Sequence, residues 1–257
     1  MREHANFIAK VKKLRPALND FRRGLKSGSI EWPEALEIYN GFLKEFTTRD
    51  GINMVAKRLL GWAFLNAEAI ELIANWIIQN KKPVFSVGCG NAIWEGMVIC
   101  NLRYRGVNNP EKLMIVSDTF SSHGSEDMTT EDCFCTTVIK EDGMKSILKA
   151  NALHDSAYAL MMNWPGCNEG WANEVLQASY ATTVFYCGEC KFGCTGDDDL
   201  YDTLEVDYHE VQMVYIPRAI GINDYLFMYH ARNYSAETVF YRDLMVNFDT
   251  IFNIDFF

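Results

Sequence analysis

The sequence lacks the features of membrane and secreted proteins. No hydrophobic run approaches the ~18 residues that would span a bilayer, and the first residues, MREHANFIAKVKKLRP, contain no apolar signal-peptide core. Long Gly/Ser linkers, low-complexity tracts and internal repeats are also missing. We therefore expect a globular protein that stays inside the cell, in the cytoplasm or in a compartment reached without a cleaved signal, and that has no membrane partner.

Basic residues are scarce relative to acidic ones. The chain has 24 Lys and Arg residues against 34 Asp and Glu residues, which gives a net charge of −10. An acidic body repels phosphate backbones, so nucleic acid is disfavoured as a partner. Histidines are few, and His154, His209 and His230 form no pair at the spacing of metal ligands or of a catalytic triad. Hydrolytic catalysis therefore has no support.

The eight cysteines do not indicate a disulfide scaffold or a metal site. Several lie in apolar runs, where a free thiol behaves as a small hydrophobic group. Cys187, Cys190 and Cys194 are spaced in a way that suggests zinc, but no fourth ligand is nearby and the stretch contains a glycine turn. We predict that no metal is bound.

After Pro83 the sequence alternates between short apolar runs and helical stretches. The runs, which we predict to be strands, are 84–87, 113–118, 134–139, 158–162, 182–187, 211–216 and 225–229. Strands that alternate with helices predict an α/β protein with a parallel sheet and helices on both faces. The last two runs flank a loop with Pro217 and Gly221, so we expect them to pair antiparallel at one edge.

Residues 1–82 are predicted to be a helical N-terminal extension that packs on the main domain, residues 83–257. Helices are expected over 34–46 and 52–80, and Asn66 has the character of an N-cap within the second stretch. The first 26 residues hold eight Lys or Arg and two acidic residues. Apolar residues recur there at helical spacing, and Pro16 is expected to kink this helix or to begin a second one.

Both ends of the chain could take part in contacts. The basic N-terminal helix is interpreted as a solvated helix on an acidic body, with a phosphate or protein contact as the alternative. Near the other end, Phe240, Leu244, Phe248 and Phe252 form an apolar stripe at helical spacing. This stripe either packs on the sheet or, if part of it is exposed, forms a docking patch for a protein partner.

The first strand-to-helix turn, VGCGNAIWEG, is a candidate nucleoside site. Gly88 and Gly90 let backbone approach a ligand closely, and the helix that follows offers free N–H groups. The second strand ends at Asp118, whose carboxylate could accept hydrogen bonds from both hydroxyls of a ribose. The turn lacks the third glycine of a dinucleotide-binding motif, and glycine turns also occur for packing alone, so both interpretations stay open.

Five stretches, in the same order, resemble the class I S-adenosylmethionine-dependent methyltransferases. They are LGWAFLN with the helix after it, PVFSVGCGNAIWEG, ALMMNWPG, VFYCGECKFGCTGDDDLYDTLE and IPRAIGINDYLFMYHAR. The resemblance covers about residues 60–232. It implies a Rossmann-like, mostly parallel seven-stranded sheet whose last strand is inserted antiparallel, and S-adenosylmethionine as the cofactor.

The resemblance also implies where the cofactor and the methyl acceptor would lie. The cofactor would lie over Gly88 and Gly90 with its ribose at Asp118, and Asp142 would meet the adenine amine. Two further residues are expected in the same pocket: Trp62, which could instead be a core aromatic, and Asn91, whose stretch narrows the pocket floor.

Two residues are expected to carry the chemistry. Asn163, in the turn NWPG, would face the methyl group and accept hydrogen bonds from a target amine, and Glu189 would accept a proton or bind a cationic group. Ser86 departs from the family, because it stands where an acidic residue often anchors the cofactor. The resemblance therefore implies a methyltransferase that acts on a small molecule or a protein group. The alternative is an inactive protein of the same fold that serves as a structural or interaction subunit.

Overall fold

A mixed β-sheet runs from Val84 to Ala231, preceded by helices and a short hairpin. The computed structural model describes residues 2–121, 128–154, 158–167 and 169–232. The helices are α1 (Arg2–Ser27), α2 (Trp32–Phe46), α3 (Lys57–Leu60), α4 (Ala67–Asn80), α5 (Ile93–Tyr104), α6 (Gly143–His154), α7 (Trp171–Ala178) and α8 (Asp198–Asp207). The strands are β1 (Thr47–Thr48), β2 (Gly51–Ile52), β3 (Val84–Val87), β4 (Met114–Asp118), β5 (Val138–Lys140), β6 (Ala159–Asn163), β7 (Thr183–Gly188), β8 (Tyr208–Tyr215) and β9 (Tyr225–Ala231).

The main sheet has seven strands in the order β5-β4-β3-β6-β7-β9-β8. Strands β3 to β7 pair in parallel, and β9 pairs antiparallel with both β7 and β8. Strand β9, which comes last in the sequence, is therefore inserted between β7 and β8. This arrangement confirms the predicted fold, a Rossmann-like and mostly parallel sheet with an antiparallel last strand.

The central strand β3 is buried on both faces because helices cover the sheet from both sides. Successive side chains of a strand point to opposite faces. Val84 accordingly belongs to the apolar core that contains residues of α1, α2, α4 and α5. Phe85 belongs to the second core, which contains residues of α6, α7 and α8. The N-terminal helices thus share a core with the sheet, and the domain boundary at residue 82 stays a prediction.

The structure tests the predictions for the N-terminal helices. Helix α1 is one helix with Pro16 inside it, so Pro16 does not begin a second helix. The helix predicted over 52–80 is wrong as a single element, because Gly61 has φ of 92° and separates α3 from α4. The predicted N-cap is confirmed, since the side chain of Asn66 accepts a hydrogen bond from Ala69 N at 2.9 Å.

The apolar stripe at 240–252 lies outside the described residues. In the part of the chain that is described, no helix combines the length and the apolar character that crossing a membrane requires.

A buried tyrosine joins α2 to the segment before α4. The Tyr39 side chain is fully buried, and its hydroxyl accepts a hydrogen bond from Leu65 N at 3.0 Å. We expect Tyr39→Phe to destabilise the protein by roughly 1–3 kcal/mol, because a buried N–H loses its acceptor. Urea unfolding measures this change. Tyr104→Phe is the control, since Tyr104 is 54% exposed, and an equal effect of the two substitutions would contradict the prediction.

Candidate functional site

A cleft of about 980 Å³ opens at the carboxyl ends of the parallel strands. Seven of the eight site residues expected from the sequence line it, and they are Trp62, Gly88, Gly90, Asn91, Asp118, Asp142 and Asn163. They come from the segment after α3 and from the ends of four strands. In a sheet of this kind ligands bind at this edge, where the strand order reverses. The strand order reverses at β3, because β4 pairs with it on one side and β6 pairs with it on the other.

The glycine turn after β3 leaves space inside the cleft. Gly88 and Gly90 have φ of 68° and 56°, a left-handed conformation that favours glycine. A Cβ atom added at Gly90 would have no heavy atom within 4 Å, so it would project into open space. A Cβ atom at Gly88 would lie 2.9 Å from the ring of Trp171. The turn is therefore open at Gly90 and covered by an indole at Gly88.

Asp118 joins the end of β4 to the glycine turn. Its Oδ2 accepts a hydrogen bond from Gly90 N at 2.7 Å, and its Oδ1 accepts one from Phe120 N at 2.5 Å. Burial raises the pKa of Asp118, and the two backbone hydrogen bonds oppose this rise. A carboxylate has about four lone-pair positions, so two remain for hydroxyl groups of a ligand. The predicted proximity of Gly90 and Asp118 is thus present in the structure.

The turn after β6 holds Trp164 in an uncommon conformation. Trp164 has φ of 52°, which a bulky residue adopts only when its surroundings enforce it. Its backbone N–H donates to Cys187 O at 2.7 Å, and its Nε1 donates to Asp224 Oδ1 at 2.8 Å. The Lys57 ammonium lies 3.9 Å from the centroid of its ring. These contacts fix the residue that directly follows Asn163.

Lys57 and Asp224 form a buried ion pair behind this turn. Lys57 Nζ lies 3.5 Å from Asp224 Oδ2, and the two side chains are only 1% and 0% exposed. Burial lowers the pKa of Lys57, and the nearby Asp224 carboxylate opposes this shift. Burial also raises the pKa of Asp224. The sequence analysis assigned no role in the site to either residue.

Trp62 and Trp94, which lie on either side of the glycine turn in the sequence, have different surroundings. Trp62 is 41% exposed, and its ring stacks on Trp164 with the centroids 5.0 Å apart and the planes at 16°. Trp94 is buried, and its Nε1 donates to Ala63 O at 3.0 Å. Trp62 therefore lies at the cleft as predicted, whereas Trp94 is a core residue.

Glu95 is a site residue that the sequence analysis missed. Its side chain is fully buried on α5, and its Oε1 accepts hydrogen bonds from Ser86 Oγ at 2.5 Å and from Asn163 Nδ2 at 3.2 Å. Burial raises the pKa of Glu95 to about 7. One signal in the sequence could have indicated Glu95, because Ser86 stands where the resemblance implies an acidic residue. The structure brings a carboxylate to Ser86 from the neighbouring helix.

The remaining expected residues lie at the rim or outside the cleft. Asp142 is exposed at the start of α6, where its Oδ1 accepts a hydrogen bond from Met144 N at 2.9 Å. Glu189 does not line the cleft, and its two oxygens accept hydrogen bonds from Cys194 N at 2.7 Å and Asn223 N at 2.8 Å. Burial raises the pKa of Glu189, but these hydrogen bonds outweigh it, so the pKa is lowered overall. The proposed proton-accepting role of Glu189 stays a prediction.

The cysteines considered as zinc ligands differ in solvent exposure. Cys187 is buried in β7, and Cys190 is exposed. Within the described ranges, no three His, Cys, Asp or Glu side chains are grouped so that they could hold a metal ion.

No protein family model and no curated protein matches the sequence of this chain. Solved structures match its fold at low identity. PH1948 of Pyrococcus horikoshii, provisionally assigned as an RNA methyltransferase, is 12% identical, with 65% of this chain and 82% of that chain covered and a TM-score of 0.39.

Two further solved structures carry ligands. A mutant of MtNAS in complex with S-adenosylmethionine is 10% identical, with 86% and 91% covered and a TM-score of 0.40. Magnesium protoporphyrin IX methyltransferase of Synechocystis PCC 6803 with bound SAH is 10% identical, with 68% and 92% covered and a TM-score of 0.36. The strand order is that of the Rossmann-like fold predicted from the sequence, and these similarities do not identify the substrate of this chain.

The buried Glu95 carboxyl group makes stability depend on pH. Because its pKa rises from 4.5 to about 7 on folding, its contribution is fully present below about pH 4.5 and is lost as the pH rises through about 7. We expect Glu95→Gln to remove this pH-dependent loss of folding stability, which amounts to at most about 3 kcal/mol. Urea unfolding from about pH 5 to about pH 8 compares the two proteins. Glu68→Gln, at an exposed position of α4, is the control, and parallel pH profiles for wild type and Glu95→Gln would contradict the prediction.

Proposed function

We propose that this protein is an S-adenosylmethionine-dependent methyltransferase that acts on a small molecule or a protein group. The observation that carries the proposal is the hydrogen bond between Gly90 N and Asp118 Oδ2, beside an open cleft at the switch point of the sheet. This contact brings an open glycine turn and a carboxylate with free lone pairs to adjacent strand ends, as a nucleoside requires.

The residues of the cleft fit the proposed cofactor. Gly90 leaves open space where a side chain would stand, and Asp118 would accept hydrogen bonds from the ribose hydroxyls. Asp142 lies at the rim, where it would meet the adenine amine. When bound, the cofactor supplies an electrophilic methyl group on a sulfonium ion. The cavity is near the upper end of the roughly 300–1,000 Å³ found for ligand pockets, which supports a site that also admits a methyl acceptor.

Asn163 would position the methyl acceptor. Its Nδ2 is held by Glu95, and its Oδ1 has no hydrogen-bond partner in the described part of the chain. A buried oxygen without a partner is costly, so an amine N–H of the acceptor would both satisfy it and be oriented by it. Methyl transfer depends mainly on such in-line positioning. The fixed conformation of Trp164 supports this role, because it determines where Asn163 lies.

A second candidate function is that of an inactive structural or interaction subunit. It is favoured by Trp171, whose ring lies against Gly88 and covers part of the glycine turn. This candidate predicts that the cleft binds the cofactor weakly or not at all, so a binding measurement separates the two functions.

Titration calorimetry with S-adenosylmethionine tests the proposal. We expect the wild type to bind with micromolar or tighter affinity, and Gly90→Ala to bind at least about tenfold more weakly, because the new methyl group enters the cleft. Gly221→Ala is a matched control, since Gly221 also has a positive φ, of 78°, and an added Cβ atom would have no heavy atom within 4 Å there. Gly221 does not line the cleft. The absence of heat with the wild type at millimolar cofactor would overturn the proposal and favour the inactive subunit.

A further inference from the structure

A second cavity, of about 1080 Å³, adjoins the cleft. We call it the basic groove; its wall is formed by α1, and Arg58, Asn91 and Met128 line both the groove and the cleft. These shared residues place the groove directly next to the cleft. A ligand segment in the basic groove could therefore extend toward Asn91 and the glycine turn.

The basic groove has the opposite charge to the protein as a whole. Its basic lining residues are Lys12, Arg15, Arg22, Arg23, Lys26 and Arg58. The acidic ones are Asp20, Glu131 and Asp132. The chain carries a net charge of −10, so this local excess of positive charge requires an explanation.

Three of these cations are used inside the protein. Arg22 lies 3.8 Å from Asp132, and Lys26 Nζ donates to the carbonyl of Glu131 at 2.8 Å. Arg23 is paired with its neighbour Asp20 on the same helix. These contacts correspond to the basic helix packed on an acidic body that the sequence suggested.

The other three cations lack such partners. Lys12, Arg15 and Arg58 are exposed, and in the described part of the chain none of them forms an ion pair or a side-chain hydrogen bond. Arg58 is the one that also lines the cleft. Internal packing therefore leaves unexplained the cations that face the groove and its junction with the cleft.

Apolar side chains accompany the unpaired cations. Leu14 and Leu59 are half-buried in the groove. Phe42 and Phe46 line it as well but are only 7% and 5% exposed. The groove thus offers aliphatic contacts, and it offers no exposed aromatic ring from these two residues on which a nucleic-acid base could stack.

We infer that the basic groove binds an acidic, partly apolar segment of a protein, whose acceptor side chain then reaches the cleft; the second half of this inference rests on the proposed function. Carboxylates complement Lys12, Arg15 and Arg58, and the Arg58 guanidinium can bind one bidentately. The three acidic residues in the lining fit a segment of mixed character better than a uniformly charged phosphate backbone, which favours uniformly basic grooves.

Fluorescence polarisation tests the binding step without the cofactor. The probe is a fluorescein-labelled peptide of alternating Glu and Leu, compared with the same peptide carrying Lys instead of Glu and with labelled oligouridylate. We expect the Glu peptide to bind best and to be weakened by salt, because exposed charges are screened. In the double variant Lys12→Glu/Arg15→Glu we expect its affinity to fall at least about tenfold.

Lys112→Glu is the matched control, because Lys112 is exposed and precedes β4, at the other end of that strand from Asp118. The affinity of the Lys112→Glu variant for the Glu peptide should equal that of the wild type. The inference is overturned if the Glu peptide does not bind, if the double variant binds it as well as the wild type, or if oligouridylate or the Lys peptide binds better.

A cofactor titration separates this inference from the proposed function. The double variant should bind S-adenosylmethionine as the wild type does, since Lys12 and Arg15 lie outside the cleft. Peptide binding without cofactor binding supports the groove and overturns the proposed function. Cofactor binding without peptide binding supports the proposed function and overturns the groove.

Discussion

The cleft depends on a charged pair that the fold removes from water. Desolvating an ion costs several kcal/mol, so the pair formed by Lys57 and Asp224 is tolerated only because each group has a specific partner. Both groups also contact Trp164, one through the face of its ring and the other through its Nε1. The pair thus joins the N-terminal segment, the hairpin before β9 and the turn after β6 at a single residue.

A second buried ionisable group, the Glu95 carboxyl, contacts the same turn. Glu95 binds Asn163 and Ser86 at once, so it ties α5 and β3 to the end of β6. Asn163 and Trp164 are consequently held by hydrogen bonds to Glu95 and Asp224, and breaking either bond would leave a buried polar atom unpaired. Such preorganisation suits a reaction whose main requirement is the alignment of two groups.

The sequence predicted the parts of the site that follow from regular structure. Gly90 and Asp118 each follow a buried strand, and adjacent parallel strands bring their carboxyl ends together, so their contact could be predicted. Glu95 and Lys57 could not be predicted in this way. Each is a charged residue in a helix, where the usual position is on the solvent side, and their burial depends on how α5 and α3 pack.

The helix predicted over 52–80 is interrupted beside the cleft, and the interruption changes which side chains can reach it. Residues five positions apart lie roughly 140° apart around an uninterrupted helix, so Lys57 and Trp62 would face different directions. Gly61, with its φ of 92°, ends the regular structure between them. Both side chains can then reach Trp164, Lys57 at its ring face and Trp62 in a stack. The break in the predicted helix thus forms part of the wall of the site. Functional sites are where local preferences and the global fold are expected to disagree.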